Sequence, residues 1–539
     1  MESVNANNSA VDQIYDAIII GAGLSGLTVG NILVYKGYKV LIIDKNHIPG
    51  GYVVNFTRGD YRFDTAIHFI NGCGEGGMVN SVLKLYGAEN AIEWLPIENL
   101  FHWKDPKNNY EAMPPVRLQE YTEFLCKEFP EEAKNIRKFM SRYSKLLPLL
   151  MGLLQPSLTQ QFLTSIKAFP TMMRFLWNIN STVDDVIRRY FKNPALIELL
   201  TIFVSPFGMT RNTQAFFIWA MNEFSYRVEG AWYPKGGAGK LTSTIAEIFQ
   251  KNGGTLLLNH EVISLEIDQK KKMVKSVRCR DRKGNEKEFR SVAVVNTGDL
   301  VRLATTLVPK GTFSEKWIKK ITERNTIHSL FIVYLGLDFE ITKYGITEYE
   351  LWQLNSEWNV PEIHENLQKK MDYSKIPMEI ITFYSNGPDK TCCPPGKTVL
   401  SCLIGADLNA WKEILEEDGK KGEKYYRFKK KSAETFVNRL SQLLNIPDLK
   451  DHIEVMEVAT PITLYRYSYA YKGTPIGYAF DLDSVRKTQL YGTKIKNLSL
   501  AGHFTFPGGG MSTVMLGGMM ASRAAIKRIE KYKKKVEQK

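Results

Sequence analysis

Apolar residues near the N-terminus form two short continuous runs that are separated by glycines. The first run ends at Ile20 and is followed by glycines at 21, 23 and 26, and the second spans residues 40–43 and ends before Asp44. Short apolar runs bounded by turn residues are typical of buried strands. The pattern predicts a strand, a glycine-rich turn, the start of a helix and a second strand.

A similar pattern recurs near the C-terminus. Residues 497–501 form a short apolar strand that closes on Gly502, a glycine cluster follows at 508–510, and a helical run continues to Ile529. Apolar runs between the two ends predict further strands. These are Thr255–Asn259, Glu261–Asp268, Met273–Asp281, 291–296, Ser329–Leu335 and Thr398–Ile404. The arrangement predicts an α/β fold.

The first glycine-rich turn has the spacing of a dinucleotide-binding site. Its first glycine permits a tight turn, the second lets the backbone approach a pyrophosphate, and the third allows close packing of helix on strand. The helix N-terminus supplies amides and the positive end of a dipole for the phosphates. We expect the whole segment to contact the cofactor: Gly21, Ala22, Gly23, Leu24, Ser25 and Gly26.

Asp44 and its neighbours bear on which dinucleotide binds. An acid at the end of the second strand accepts hydrogen bonds from ribose hydroxyls and repels a 2′-phosphate, so that NADP is disfavoured. Lys45 follows directly, and Gly50 and Gly51 form a second glycine pair that is typical of FAD-binding chains of the glutathione-reductase type. At the other end of the chain, a helix that begins near Met511 and Ser512 can point at the pyrimidine end of an isoalloxazine ring. Chain ends that converge on one extended cofactor favour FAD over NAD.

Several ordered blocks of the sequence resemble the phytoene desaturase, carotenoid isomerase and retinol saturase superfamily of FAD-dependent oxidoreductases. The blocks are Tyr61–Ile70, Ala231–Leu241, Gly253–Val262, Ala459–Pro461 and Ala501–Gly510. The resemblance covers nearly the whole chain. It implies that the backbone of Val262 meets the adenine and that Gly502 and His503 lie at the cofactor. One departure is His503, since many relatives carry an acid there to hold the ribityl chain.

The resemblance also implies the fold and the domains. We expect a glutathione-reductase-type FAD-binding Rossmann domain with a discontinuous α+β substrate domain. The FAD-binding domain is expected at 13–90, 230–310 and 455–530, and the substrate or lid domain at 91–229 and 311–454. Residues 1–12 are expected to be a flexible tail, and 531–539 a basic tail.

Three residues are candidates for proton transfer or substrate polarisation. His68 follows the Tyr61–Asp64 segment, which the family places near the flavin, and a structural histidine is the alternative. His503 is expected beside the cofactor, where it can act or simply hold the ribityl or phosphate region. Arg466 can neutralise an anionic flavin or a substrate carboxylate, and a surface ion pair is its alternative. No metal-ligand spacing or Ser/His/Asp set is found, so we expect no metal site and no hydrolase.

Composition adds the remaining expectations. The chain has 539 residues, a formal net charge of +14 and six cysteines without CxxC spacing, which suits reduced thiols. Neither a secretory signal nor a run long enough to span a membrane is found. The apolar stretch between Leu146 and Trp177 can lie at a bilayer interface, cover a substrate tunnel or form core. We therefore expect a cytoplasmic or peripherally membrane-associated protein that does not bind nucleic acid.

The expected activity is FAD-dependent chemistry on C=C bonds of an apolar polyene or isoprenoid, such as a carotenoid or retinoid, in lipid metabolism. Desaturation, saturation and cis–trans isomerisation stay open, as does the electron donor or acceptor. Two alternatives remain from the sequence. One is an amine-oxidase-like flavoenzyme, and the other is a non-catalytic prenyl-binding protein of the Rab-escort or GDP-dissociation-inhibitor type.

Overall fold

A computed structural model describes residues 14–65, 68–145, 173, 177–207, 209–354, 371–374, 378–486 and 492–538. The expected N-terminal tail and nearly all of the apolar stretch between Leu146 and Trp177 lie outside these residues. The strands in chain order are β1 (Ile14–Ile20), β2 (Val40–Ile43), β3 (Asn55–Arg58), β4 (Tyr61–Asp64), β5 (Ile70–Asn71), β6 (Trp94–Ile97), β7 (His102–Asp105), β8 (Tyr110–Ala112), β9 (Ala231–Pro234), β10 (Thr255–Leu257), β11 (His260–Asp268), β12 (Met273–Asp281), β13 (Glu286–Asn296), β14 (Ser329–Leu337), β15 (Glu350–Leu354), β16 (Met378–Phe383), β17 (Thr398–Ala406), β18 (Ile453–Ala459) and β19 (Leu498–Leu500).

The α-helices of the described residues are distributed along the whole chain. They are α1 (Leu24–Tyr35), α2 (Met78–Lys84), α3 (Leu118–Glu128), α4 (Ala133–Tyr143), α5 (Val183–Ile187), α6 (Pro194–Thr201), α7 (Phe216–Glu229), α8 (Gly237–Lys251), α9 (Leu300–Arg302), α10 (Glu315–Thr322), α11 (Leu408–Lys412), α12 (Glu423–Leu444), α13 (Pro461–Ser468), α14 (Leu482–Arg486) and α15 (Met511–Glu537).

The first sheet joins the two ends of the chain. Its order is β10-β2-β1-β13-β12-β11. β19 pairs with the last three residues of β13, on the edge opposite to β1, whereas β12 pairs with the first four. The pairs among β10, β2, β1, β13 and β19 are parallel, while β11, β12 and the first half of β13 form an antiparallel ribbon. Parallel strands of this kind are buried on both faces, which explains their continuous apolar runs.

The alternation of side chains along β1 shows how both faces are covered. Ala17 and Ile19 pack with α1, α8 and α15 in one core, and Ile18 and Ile20 pack in another core with β11, β12 and the segment 300–308. Successive residues of a strand point to opposite faces, so a run of small and branched apolar residues satisfies two cores at once. The helix α15 therefore lies beside α1 on the same face of the sheet.

The second sheet has the order β18-β14-β17-β16-β15-β7-β8. Its pairs are antiparallel except for the pair of β15 with β7. One face packs against α3 to α7, and the other packs against α11 to α13. The two sheets and the helices around them form the mixed architecture that the sequence predicts.

Three segments differ from the expected domain boundaries. β18 pairs with β14 and so belongs to the second sheet, although the expected FAD-binding segment includes residues from 455 onward. β6 pairs with β9 and thus joins a segment of the expected substrate domain to one of the FAD-binding domain. The expected basic tail is helical, because α15 continues to Glu537. Strand pairing and helix length in these places depend on contacts that are remote in sequence.

Candidate cofactor and substrate site

One large cavity lies between the two sheets. Its volume is about 880 Å³, and its wall is formed by the start of α1, the ends of β2 and β13, the start of α15, one side of α7 and one face of the second sheet. Sites for small molecules and cofactors have volumes of about 300–1,000 Å³. The cavity thus brings together segments that are separated by most of the chain.

The glycines at the start of α1 have the steric roles that the sequence predicts. Gly21 has a φ of +104°, and a Cβ on Gly26 would lie 2.0 Å from the Gly21 carbonyl oxygen. Gly23, in contrast, has no atom within 4 Å of an added Cβ and lines the cavity. Gly21 and Gly26 are therefore needed by the fold itself, whereas Gly23 leaves open space where a phosphate can approach the backbone.

Asp44 lies at the end of β2 and binds the glycine-rich turn. Its Oδ2 accepts a hydrogen bond of 2.7 Å from the Ala22 amide, and its Oδ1 accepts one of 2.7 Å from the Asn46 amide. Burial raises the pKa of the Asp44 carboxyl, and these backbone hydrogen bonds partly offset that rise. A carboxylate has about four acceptor positions, so two remain for ribose hydroxyls.

The second glycine pair runs along the same turn. The Gly50 amide donates a 2.8 Å hydrogen bond to the Ala22 carbonyl, and both glycines have positive φ angles, +125° for Gly50 and +65° for Gly51. An added Cβ on Gly51 would lie 3.3 Å from Cα of Gly23. The two glycine motifs therefore form one piece of backbone at the cavity wall.

Lys45 is held by the protein itself. Its Nζ lies 3.3 Å from the centroid of the Tyr469 ring and donates to the Arg466 carbonyl oxygen. Burial lowers the pKa of Lys45 to about 8. Lys45, Tyr469 and the nearby Val262 all line the cavity.

The start of α15 is a second helix N-terminus on the cavity wall. Gly510 precedes it with a φ of +117°, and neither a capping side chain nor an acidic residue occupies its first turn. Ser512 Oγ donates a 2.7 Å hydrogen bond to Oδ1 of Asn71. Gly502, His503, Met511 and Ser512 line the cavity. The free amides and the dipole of this helix are available to a ligand.

The two helices that begin at the cavity pack closely against each other. A Cβ on Gly518 of α15 would lie 2.8 Å from the Ser25 carbonyl oxygen of α1. This contact fixes the distance between their N-termini, at Leu24 and Met511, which are 487 positions apart in the sequence. Both N-termini thus lie on the wall of the same cavity.

The third glycine-rich helix start has a different role. Asp64 accepts a 3.0 Å hydrogen bond from the Ala238 amide at the start of α8, and Tyr233 donates a hydrogen bond to the same carboxyl group. Burial raises the pKa of Asp64 to about 6. The protein's own carboxylate therefore occupies this helix N-terminus, so the glycine spacing of the 231–241 block serves the packing of α8.

His503 is a neutral group on the cavity wall. Burial lowers its pKa to about 4, and its Nε2 atom is buried without a hydrogen-bond partner in the described part of the chain. Ser25 Oγ and His260 Nε2 are two further cavity-wall atoms that are buried and have no hydrogen-bond partner in the described part of the chain. A buried polar atom is normally hydrogen-bonded. These three atoms, together with the free helix N-termini, fit the phosphate, ribityl and ribose groups of FAD.

His68 is held by a buried network on the second sheet. Its Nδ1 lies 2.5 Å from Oε1 of Glu350 and 2.6 Å from Oγ1 of Thr382. Glu350 and Thr382 are paired across β15 and β16, and Glu350 also accepts a 2.6 Å hydrogen bond from Nε1 of Trp352. A carboxylate accepts hydrogen bonds, so Nδ1 carries the proton and Nε2 is the ring nitrogen left for a ligand.

Arg466 is not brought to the cavity. Its side chain is exposed on α13, and it is absent from the cavity wall, although its carbonyl oxygen accepts the hydrogen bond from Lys45. Its neighbours Tyr467 and Ser468 do line the cavity. The position of Arg466 therefore gives no support to the catalytic role that the sequence suggests for it.

Several residues of the site were not found from the sequence. Glu350, Thr382 and Trp352 carry no local motif, since their relation to His68 depends on the register of β15 and β16. Asp299 lines the cavity, and burial raises its pKa to about 6. The sequence does contain a signal for Asp299, because this residue lies in the turn after the apolar strand β13, just as Asp44 directly follows β2.

The half of the cavity that faces the second sheet is apolar. Trp352, Ile380 and Leu403 form one row of cross-strand neighbours over β15, β16 and β17, and all three line the cavity. Side chains from one side of α7 form the opposite wall, at the spacing of a helix face. They are Phe217, Ile218, Met221, Asn222, Ser225 and Tyr226.

Charged residues of the described cavity wall are confined to the other half. They are Asp44, Lys45, Glu261, Asp299 and Arg302, which follow or belong to the strands of the first sheet. The wall formed by α7 and the second sheet has no Asp, Glu, Lys or Arg among its described residues. The cavity therefore has a polar half and an apolar half.

Three global features complete the description. Within the described residues, no helix is long and apolar enough to cross a membrane, and no group of three potential ligands has the geometry to hold a metal ion. The six cysteines are free thiols, and five of them are buried.

Comparison with known proteins agrees with this geometry. The model of the family described as "Flavin containing amine oxidoreductase" matches residues 24–526. All-trans-retinol 13,14-reductase from Rattus norvegicus is 24% identical over 96% of this chain and 87% of its own length. The chloroplastic prolycopene isomerase from Daucus carota is 24% identical over 94% of this chain and 79% of its own length.

A solved structure shows the same fold. An oxidoreductase from Methanosarcina mazei superposes with a TM-score of 0.58 at 14% identity, over 94% of this chain and 99% of that one. The predicted superfamily, fold class and FAD cofactor are confirmed by these matches.

Proposed function

The chain belongs to the flavin-containing amine oxidoreductase family and is an FAD-dependent oxidoreductase, and we propose that it acts on C=C bonds of an apolar polyene or isoprenoid. The observation that carries the proposal is the division of one cavity into a polar half and an apolar half. The polar half suits FAD, and the apolar half suits a substrate without charge. The two relatives that act on a retinoid and on a carotenoid, by their names, support this substrate class.

The residues of the polar half have distinct roles in holding FAD. We assign the pyrophosphate to the amides at the start of α1, beside Gly23 and Ser25, and the adenosine ribose to Asp44. The flavin end is assigned to the start of α15, beside Met511 and Ser512. His503 lies on the same wall as a neutral group that can pair with the ribityl chain.

The chemistry needs a hydride and a proton. FAD supplies the hydride chemistry when it is bound. We assign the proton to His68, because Glu350 and Thr382 hold its Nδ1 and leave Nε2 for the substrate. Adding a proton to a substrate carbon, or taking one from it, accompanies saturation or desaturation, and a reversible transfer accompanies isomerisation.

The proposed substrate is bound mainly through the burial of its apolar surface. Burial of apolar surface contributes about 25 cal/mol per Å², and aromatic rings supply much of the wall. Phe203 stacks on Tyr226 with ring centroids 5.6 Å apart, and Trp352 lies edge-on to Phe203 at 5.4 Å. Such a wall excludes water and holds a flat conjugated chain.

The amine alternative is less well supported. A protonated amine is stabilised by a carboxylate in contact with it, and no carboxylate among the described residues lines the apolar half, since Glu350 lies behind His68 and Trp352. The prenyl-binding alternative also has less support, because the free helix N-termini and the unpaired atoms of the polar half have no role in a protein without cofactor.

The domain assignment remains part of this proposal. We assign β1, β2, β10 to β13, β19, α1, α8 and α15 to the FAD-binding domain, and the second sheet with α3 to α7 and α11 to α13 to the substrate domain.

An electron partner must bind near the flavin end. A peripheral position on a lipid surface suits a protein whose substrate has low solubility in water.

The proposal can be tested by product analysis. The purified holoprotein is incubated with a retinoid and with a carotenoid, once with oxidised flavin in air and once with reduced flavin under argon, and the products are separated by chromatography. A product with one C=C bond more, one fewer or one isomerised is expected, and the condition that yields it identifies the direction. Recovery of unchanged polyenes together with turnover of an amine substrate would contradict the proposal.

A further inference from the structure

Four polar side-chain atoms of the cavity wall are buried and lack a hydrogen-bond partner within the described part of the chain. Three of them lie on segments assigned to FAD, and the fourth is Oε1 of Gln214, a residue that is 1% exposed. Leaving a buried polar atom unpaired costs about 1–3 kcal/mol. An unpaired amide oxygen on the side without charged residues therefore points to a ligand group.

Gln214 is held firmly in its place. Its amide donates a 2.9 Å hydrogen bond to the Thr210 carbonyl, and its carbonyl accepts a 3.0 Å hydrogen bond from the Val183 amide. It pairs as a single bridge with Asp481, next to Phe480 on the cavity wall. The main chain is thus satisfied, and only the side-chain amide has capacity left.

The position of Gln214 continues the wall formed by α7. Gln214, Ile218 and Ser225 are separated by 4 and 7 positions and all line the cavity, with Tyr226 at the other end. At 1.5 Å per residue the helical part of the wall, from Phe216 to Tyr226, spans roughly 15 Å, and Gln214 lies just before its start. Ring contacts link Tyr226 to Phe69, the neighbour of His68. Gln214 therefore lies at the end of the apolar wall that is remote from His68 along α7.

We propose that Gln214 binds a hydroxyl group of the substrate, so that the substrate is an apolar chain that carries an alcohol and not a pure hydrocarbon. The proposal rests on the proposed function. A hydroxyl group both donates and accepts, so it satisfies the amide whichever way the oxygen and nitrogen of Gln214 are oriented. A charged head group is disfavoured because no Asp, Glu, Lys or Arg among the described residues lines this half of the cavity. A hydrocarbon leaves the amide unpaired.

The experiment compares two ligands that differ in one group. All-trans-retinol and the hydrocarbon that lacks only its hydroxyl group are titrated into the oxidised holoprotein, and binding is followed by the change in the flavin absorption spectrum. The variants are Gln214→Met, which keeps the side-chain volume, and Gln119→Met, the same substitution at an exposed position of α3 that does not line the cavity. Because binding is measured, the result does not depend on turnover.

The wild-type protein and Gln119→Met are expected to bind the alcohol about 10- to 100-fold more tightly than the hydrocarbon. Gln214→Met is expected to lose this preference, since its hydrocarbon affinity rises while its alcohol affinity falls. Equal affinities in the wild-type protein, or a preference that survives in Gln214→Met, would overturn the assignment of Gln214 and leave the proposed function standing. Failure of both ligands to bind a flavin-loaded protein would overturn both.

Discussion

Nδ1 of His68 lies 2.5 Å from Oε1 of Glu350, although the two residues are 282 positions apart in the sequence. Glu350 is fully buried, and its carboxylate also accepts hydrogen bonds from Thr382 and Trp352. This arrangement fixes the ring orientation of His68 and the nitrogen that carries its proton. The proposed chemistry depends on that arrangement, and several measurable consequences result from it.

Replacing His68 by Ala is expected to lower kcat about 10²- to 10⁴-fold, the usual contribution of a general acid or base. Flavin content is expected to stay at the wild-type level, because none of the FAD contacts assigned above involves this side chain. The two quantities are measured by product formation and by the flavin absorbance per chain. Unchanged turnover would remove His68 from the mechanism.

Replacing Glu350 by Gln is expected to lower kcat about 10- to 100-fold and to leave KM nearly unchanged. A glutamine amide can donate to Nδ1 of His68 and so place the ring proton on Nε2. The matched control is Glu348→Gln, since Glu348 contacts His102 at 3.3 Å in a similar pair that does not line the cavity. Equal losses in both variants would show a merely structural effect.

Substitutions of two glycines near the start of α1 are expected to distinguish an effect on folding from an effect on cofactor binding. Gly26→Ala is expected to destabilise the protein by about 1–3 kcal/mol through overpacking, because its Cβ would overlap the Gly21 carbonyl oxygen. Gly23→Ala has room for its Cβ, so thermal unfolding of the flavin-free protein is expected to stay unchanged while flavin affinity falls. Calorimetry and flavin titration give the two readouts. Full flavin affinity in Gly23→Ala would contradict the placement of the pyrophosphate.

The pH dependence of stability tests the environment of His503. Its pKa is about 4 in the folded chain, against 6.5 for an ordinary histidine, so the unfolded chain binds the proton more readily between these values. The contribution of His503 to stability is therefore lost as the pH falls from 6.5 to 4, by about 3 kcal/mol in total.

The comparison for this prediction is between wild type and His503→Gln, both without flavin, by urea unfolding at several pH values. Asp64 and Asp299 have pKa values raised to about 6, so their contributions grow as the pH falls, in the opposite sense. They are present in both proteins and cancel in the difference. A difference that stays constant between pH 6.5 and 4 would show that His503 is accessible to water.

The local motifs of this chain could be predicted from the sequence. The spacing of Gly21, Gly23 and Gly26 before a helix, and of Asp44 after the next strand, reflects steric and hydrogen-bonding needs within about thirty residues. The apolar runs of β11, β12 and β14 also predict their strands within two positions at each end. Such features depend on neighbours in sequence, which the pattern contains.

The rest depends on contacts that no local pattern contains. The pairing of β18 with β14 and the link from Glu350 to His68 are set by sheet register across more than a hundred residues. The role of Asp64 as the cap of α8 is of the same kind. Arg466 is a candidate from its position in the sequence, yet its side chain is exposed on α13 and does not line the cavity.

In the proposed holoprotein, two helix N-termini that are distant in the sequence hold one FAD beside an apolar substrate wall. A crystal structure of the purified holoprotein would show whether they do. We expect the pyrophosphate at the amides of Gly23 to Ser25, and the isoalloxazine ring between the start of α15 and His68. A cofactor bound elsewhere, or side chains that fill the space between α1 and α15, would contradict it.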